Sequence, residues 1–114
     1  MQEIYIQKLK QTVKFLIGKD AKNNTDIINQ SLDNDLWFHV NDFPSCHVIA
    51  CIHYLNISRE NLRYIVTQGA LLCKQNSKYK FNKNVKIMYT RIKNVETLET
   101  PGSVITTDTK VVTI

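Results

Sequence analysis

The sequence predicts an α+β domain in which a mostly antiparallel sheet packs against one long helix at about residues 58–76, with a second, short helix at about residues 20–32. Three observations predict it. Several segments alternate apolar and polar residues with period two, one segment carries an apolar stripe at helical spacing, and turn signals at Gly18, Pro44 and Pro101-Gly102 separate them. A chain of 114 residues suits a single domain, because it buries enough surface to fold alone but not enough for two cores. No linker, repeat or low-complexity stretch divides residues 1–114.

In residues 3–17 the apolar positions Ile4, Ile6, Leu9, Val13, Phe15 and Ile17 alternate unevenly, which suits two short strands or one interrupted strand ending at Gly18. Residues 19–32 place Ala21, Ile27, Ile28 and Leu32 among polar residues, and Asp20 is a suitable cap for the start of a short helix. Residues 35–40 favour a strand, residues 41–45 a turn, and residues 46–54 a long returning strand, so the three together form a hairpin. Centring its loop on Phe43 sets His39 opposite His47, with Cys46, Val48, Ala50 and Ile52 forming the core face of the second strand.

Ser58 is the expected cap of the long helix, whose stripe is Leu62, Ile65, Val66, Gly69, Leu72 and Cys73; Gly69 permits close approach to the sheet. Beyond Lys83 alternation resumes and predicts one long basic strand, with Val85, Ile87, Tyr89, Arg91, Lys93 and Val95 on one face. Pro101-Gly102 marks a turn, and residues 103–114 supply one or two closing strands split near Asp108.

Composition narrows the function. No apolar run approaches the roughly 18 residues of a membrane span, and residues 1–20 lack a signal-peptide pattern, so no membrane is expected and the compartment is expected to be the cytoplasm. Cys46, Cys51 and Cys73 cannot all pair and have no CxxC spacing, so free thiols are expected. A formal net charge of +5 favours polyanionic partners. Residues 74–93 hold seven cations and no carboxylate, interleaved with Tyr79, Phe81 and Tyr89. That pattern suits nucleic acid, since lysines neutralise phosphates and aromatic rings stack on bases. Within it Tyr89, Arg91 and Lys93 are expected to share a strand face as one patch; the competing reading is a solvated face with its aromatics turned inward.

Trp37, His39 and His47 form the other candidate surface, on which an unpaired base stacks or a phosphate rests; core packing is the alternative, and the favoured one for Trp37. Lys19 and Lys22, near a helix start after Gly18, are candidate phosphate contacts, without the full loop of a nucleotide-hydrolysing site. A metal site is disfavoured because His47, Cys51 and His53 span about 20 Å of strand. Cys51 and His53 with an outside ligand remain a minor alternative. A hydrolase built on Cys46 and His47 is another, opposed by the opposite orientation of neighbouring strand residues. No cofactor is expected.

Asp35-Leu36-Trp37-Phe38-His39, a short loop with Pro44-Ser45, and then His47-Val48 resemble the D-x-W-F-H, P-G-S, H-V signature of the NFACT RNA-binding domain family. Gly18-Lys19-Asp20 through Asn24, Ser77-Lys78 and Pro101-Gly102-Ser103-Val104 resemble its weaker motifs in the same order. The resemblance spans roughly residues 12–114 and implies an RNA-binding, non-catalytic domain of the stand-alone kind, contacting tRNA or ribosomal RNA in translation or ribosome quality control. It adds Asn24 and Lys78 to the expected RNA contacts. Ser45-Cys46 stands where the family has Gly-Ser, and Glu96 to Glu99 where it tends to have lysines. A module that reads an acidic protein surface with the same basic patch is the alternative function.

Overall fold

The structure is a computed structural model that describes residues 1–114. In chain order it consists of β1 (Gln2–Ile6), β2 (Gln11–Ile17), α1 (Ala21–Asn29), β3 (Leu36–Val40), β4 (Val48–Cys51), α2 (Leu62–Gln75), β5 (Lys86–Arg91), a 3₁₀ turn (Ile92–Asn94), β6 (Val95–Thr97), β7 (Val104–Thr106) and β8 (Lys110–Thr113). Six strands make one sheet in the order β1-β2-β4-β3-β5-β8, and every neighbouring pair is antiparallel. β6 and β7 form a separate hairpin. The α+β expectation holds, with two helices.

Strand alternation sends side chains to two faces, and both are covered. On one face Val13, Phe15, Phe38, Val48, Ala50 and Ile87 pack against Ile65, Val66, Ala70 and Cys73 of α2. On the other, Trp37 and Ile49 pack with Ile27 and Ile28 of α1 and with Ile92, and Val95 and Val104 of the small hairpin close the cluster. Each large side chain buried in this way contributes on the order of 1.5–3 kcal/mol. Gly69 lets α2 approach the sheet, since a Cβ there would lie 2.3 Å from the Phe38 ring.

The β3–β4 register is Leu36↔Ala50, Trp37↔Ile49 and Phe38↔Val48, which is the register of a hairpin centred on Phe43. Four boundaries differ from expectation. α1 ends at Asn29, three residues early, and Asp20 caps its start by accepting from Asn23 N at 2.8 Å. α2 begins at Leu62, not near Ser58; Ser58 Oγ accepts from Asn61 N in the turn before it, 3.2 Å away. The long returning strand shrinks to Val48–Cys51, because the buried Asp35 carboxylate accepts from Ile52 N (2.8 Å) and His53 N (2.9 Å) and draws the chain out of the sheet. The long basic strand breaks at Ile92: Ile92 N donates to Asp35 O and Lys93 N to Asp33 O, so the chain turns onto the loop before β3.

Candidate nucleic-acid interface

Gly18 ends β2, and a Cβ at this position would stand 1.7 Å from Asn24 Oδ1. Glycine is therefore required for Asn24 to reach across and accept from His47 N at 3.1 Å, while Gly18 N donates to His47 O at 2.9 Å. Those two bonds tie the loop before β4 to the start of α1. A third segment docks on the same helix, because Thr25 Oγ1 accepts from Gly102 N at 2.8 Å. Gly102 adopts φ +81°, a conformation that favours glycine, and its α-carbon sits tightly over Ala21.

The end of α2 completes the arrangement. Ser77 Oγ donates to Lys74 O and accepts from Tyr79 N, which fixes the turn that carries Lys78. As a result Gly18, Lys19, Asn24, His39, residues 44–47, residues 76–78 and residues 101–103 surround one open cleft of ≈630 Å³, walled almost entirely by polar residues. The motif segments, scattered over more than 80 residues of chain, thus converge on one cleft.

His39 and His47 line the cleft and form an aromatic triad with the buried Trp37 behind them. The Trp37 and His39 rings stack at 5.7 Å, and the His47 ring meets both edge-on, 5.5 Å from Trp37 and 4.9 Å from His39. The indole N–H can only donate, so its 3.1 Å bond to His47 Nδ1 leaves the His47 proton on Nε2. The Val40 carbonyl can only accept, so His39 Nδ1 donates to it and His39 Nε2 keeps a free lone pair. Burial, with a smaller effect from His39, lowers the His47 pKa from 6.5 to about 4. Burial also lowers that of His39, against the opposing hydrogen bond to Val40. With both pKa values below that of a free imidazole, the two rings favour the neutral form and offer hydrogen-bonding groups, not charge.

Charge comes from the rim. Lys19 and Lys78 are exposed and line the cleft. The chain contains one ion pair, Lys22–Asp26, so neither rim lysine is neutralised by a carboxylate within bonding distance. Next to the cleft, Phe43 is 55% exposed and tilts against Tyr79 with ring centroids 5.5 Å apart. Beyond them Lys83 and Lys86 line a neighbouring hollow that also contains Phe43 and Tyr79. Lys19 and Lys78 on the cleft, with Lys83 and Lys86 on the hollow beside it, thus outnumber the carboxylates of the same linings, Asp20 and Asp42.

Several expected site residues take other places. Trp37 and His47 are 1% and 2% exposed, so no base can stack on the indole; Trp37 orients His47 instead. Asn24 is buried with its oxygen committed to the His47 backbone. Lys22 lies outside the cleft and pairs with Asp26 at 3.0 Å. Lys93 leaves the expected Tyr89, Arg91, Lys93 patch because it falls in the 3₁₀ turn, while Tyr89 and Arg91 stay together on β5 and line a different groove, beside α2. Phe43 and Ser103 belong to the turn and the motif read from the sequence but were not among the expected contacts; the signal for Phe43 was an aromatic in a turn, where no core requires one.

The thiol chemistry is separate from the imidazoles. Cys46 Sγ points toward α2, donating to Cys73 O at 3.8 Å, while the His47 ring occupies the opposite side with Trp37. Cys46 and His47 are thus not arranged as nucleophile and base. His53 Nδ1 accepts from Asn34 N, and no three His, Cys, Asp or Glu side chains gather as a metal-binding group. No helix is long and apolar enough to cross a membrane.

The model of the family described as NFACT protein RNA binding domain matches residues 3–111. Coiled-coil domain-containing protein 25 of Bos taurus is 33% identical over 82 residues, covering 70% of this chain and 39% of that protein. The structure of the C-terminal of the fibronectin/fibrinogen-binding protein from Streptococcus suis shares the fold, with a TM-score of 0.79 at 23% identity, over 98% of this chain and 44% of that one. The chain spans less than half the length of each of these relatives.

Proposed function

The chain belongs to the family of the NFACT protein RNA-binding domain, so its class of partner is RNA; from that premise we propose that it holds tRNA or ribosomal RNA in the cleft between Lys19 and Lys78. The observation that carries this reading is the convergence of Gly18-Lys19, His39, Ser77-Lys78 and Gly102-Ser103 on one polar cleft. In this reading the two rim lysines neutralise backbone phosphates and supply most of the affinity. His39 Nε2, an acceptor where the cleft meets a second hollow lined by His39, Phe43 and Ser103, receives a hydrogen bond from a ribose 2′-hydroxyl or a base N–H. Phe43 offers the stacking surface that Trp37 cannot.

The domain binds and performs no bond chemistry, and its place is in cytoplasmic translation or ribosome quality control. The test is a mobility-shift titration with a total tRNA pool at low salt, competed by unlabelled ribosomal RNA and by a duplex DNA of equal length. Binding to tRNA that ribosomal RNA displaces and DNA does not supports the reading. A protein that ignores both RNAs at low salt overturns it.

A further inference from the structure

The chain has three arginines, at positions 59, 63 and 91, against twelve lysines spread along its length. All three line a single groove of ≈840 Å³ between α2 and the edge of the sheet, joined there by Lys110. Asp108 also lines the groove, but none of the four cations has a carboxylate within ion-pair distance, which leaves the lining with a net positive charge. Arg91 reaches the Asn34 carbonyl at 2.6 Å, and Arg63 donates to Tyr64 at 2.9 Å, so both are held in place without being neutralised. A guanidinium presents a planar fork that matches a carboxylate or a phosphate.

Two features decide between those anions. The groove is partly apolar, with Leu62, Val66 and Val112 among its lining, and its aromatic, Tyr89, is stacked inward on Phe38 and half-buried. A single RNA strand would want an open aromatic face, whereas a peptide uses an apolar floor between charged contacts. The second feature is β8, the last strand of the sheet with none beyond it. Val85 and Ile114 exchange both backbone hydrogen bonds, so by antiparallel alternation Val112 and Lys110 point their backbone groups at β5 and Val111 and Thr113 point theirs outward.

We propose that this groove is a second binding surface, which takes an extended acidic peptide segment of a protein partner as an added strand on β8, its apolar side chains on Val66 and Val112 and its carboxylates on Arg59, Arg63 and Arg91. The N-terminal end of α2 carries this groove and the C-terminal end carries the RNA cleft, about 20 Å away along the helix axis. One domain therefore presents two independent faces, and RNA and peptide bind without competition.

The test titrates the isotope-labelled chain with a short peptide alternating glutamate and valine, with the same peptide carrying glutamine for glutamate, and with oligouridylate. The glutamate peptide is expected to shift amides of residues 59–67 and 110–113 and to slow hydrogen exchange at Val111 and Thr113. An Arg59→Lys/Arg63→Lys/Arg91→Lys variant, which keeps the charge and loses the fork, is expected to bind it about tenfold more weakly, with an unchanged thermal midpoint and unchanged tRNA affinity. Equal binding of the glutamine peptide overturns the proposal, as does no response to either peptide. Shifts in this groove caused by oligouridylate alone reassign it to RNA. Loss of tRNA binding by the wild type, with peptide binding intact, would sink the cleft reading and leave this one standing.

Discussion

Lys19→Ala/Lys78→Ala isolates what the cleft contributes. Both side chains are exposed and neither pairs with a carboxylate, and Lys78 adds only a surface contact with the Tyr79 ring, so the double variant is expected to fold with stability within about 0.5–1 kcal/mol of wild type. If each lysine neutralises one phosphate, two fewer counterions are released on binding. The slope of log K against log salt then becomes shallower by about 1.4 for single-stranded contacts and about 1.8 for duplex ones. Over a fourfold rise in salt, the variant loses roughly tenfold less affinity than wild type does. Fluorescence anisotropy with labelled tRNA across a salt series measures both slopes. Lys22→Ala is the matched control: it removes a cation three residues from Lys19 that lies outside the cleft and already pairs with Asp26. An unchanged slope in the double variant, or an equal change in the control, would refute the assignment of phosphate contacts to Lys19 and Lys78.

Three further outcomes follow from the packing. Asp35→Ala removes the acceptor for Leu32, Ile52 and His53 amides and is expected to cost about 2–4 kcal/mol, read from the urea midpoint; a loss below about 1 kcal/mol would mean those amides find water. Gly69→Ala drives a methyl into the Phe38 ring and is expected to destabilise by about 1–3 kcal/mol in thermal melts, while folded protein keeps its RNA affinity. His47 should titrate near 4 by NMR against an ordinary 6.5. The unfolded chain binds the proton first, so the neutral buried ring contributes stability that is full above about 6.5 and is lost as pH falls toward 4. A His47 midpoint near 6.5 contradicts the buried, Trp37-bound ring.

The hairpin around Phe43 was legible because alternation on both sides of a turn leaves one register that buries Phe38 and Val48 together. The helix stripe ending at Cys73 was legible for the same reason, as its period matched a face that had to be buried. Residues that act through distant backbone were not legible. Asp35 ends β4 through carboxylate bonds to amides 17 and 18 positions away, and nothing local to it announces those partners. Its backbone, with that of Asp33, also turns Lys93 out of the strand that alternation predicted. Motif order placed Lys19, His39 and Lys78 in one site without geometry; it could not separate His39, which keeps a free nitrogen, from Trp37 and Asn24, which hold the site's walls in place.

The most direct test of the cleft is an amide NMR titration of the isotope-labelled chain with a tRNA acceptor-stem fragment. The largest shifts are expected on residues 18–24, 43–47, 76–79 and 101–103, with residues 59–67 and 110–113 unmoved. Shifts gathered on the groove of Arg59, Arg63 and Arg91, with the cleft amides silent, would contradict it.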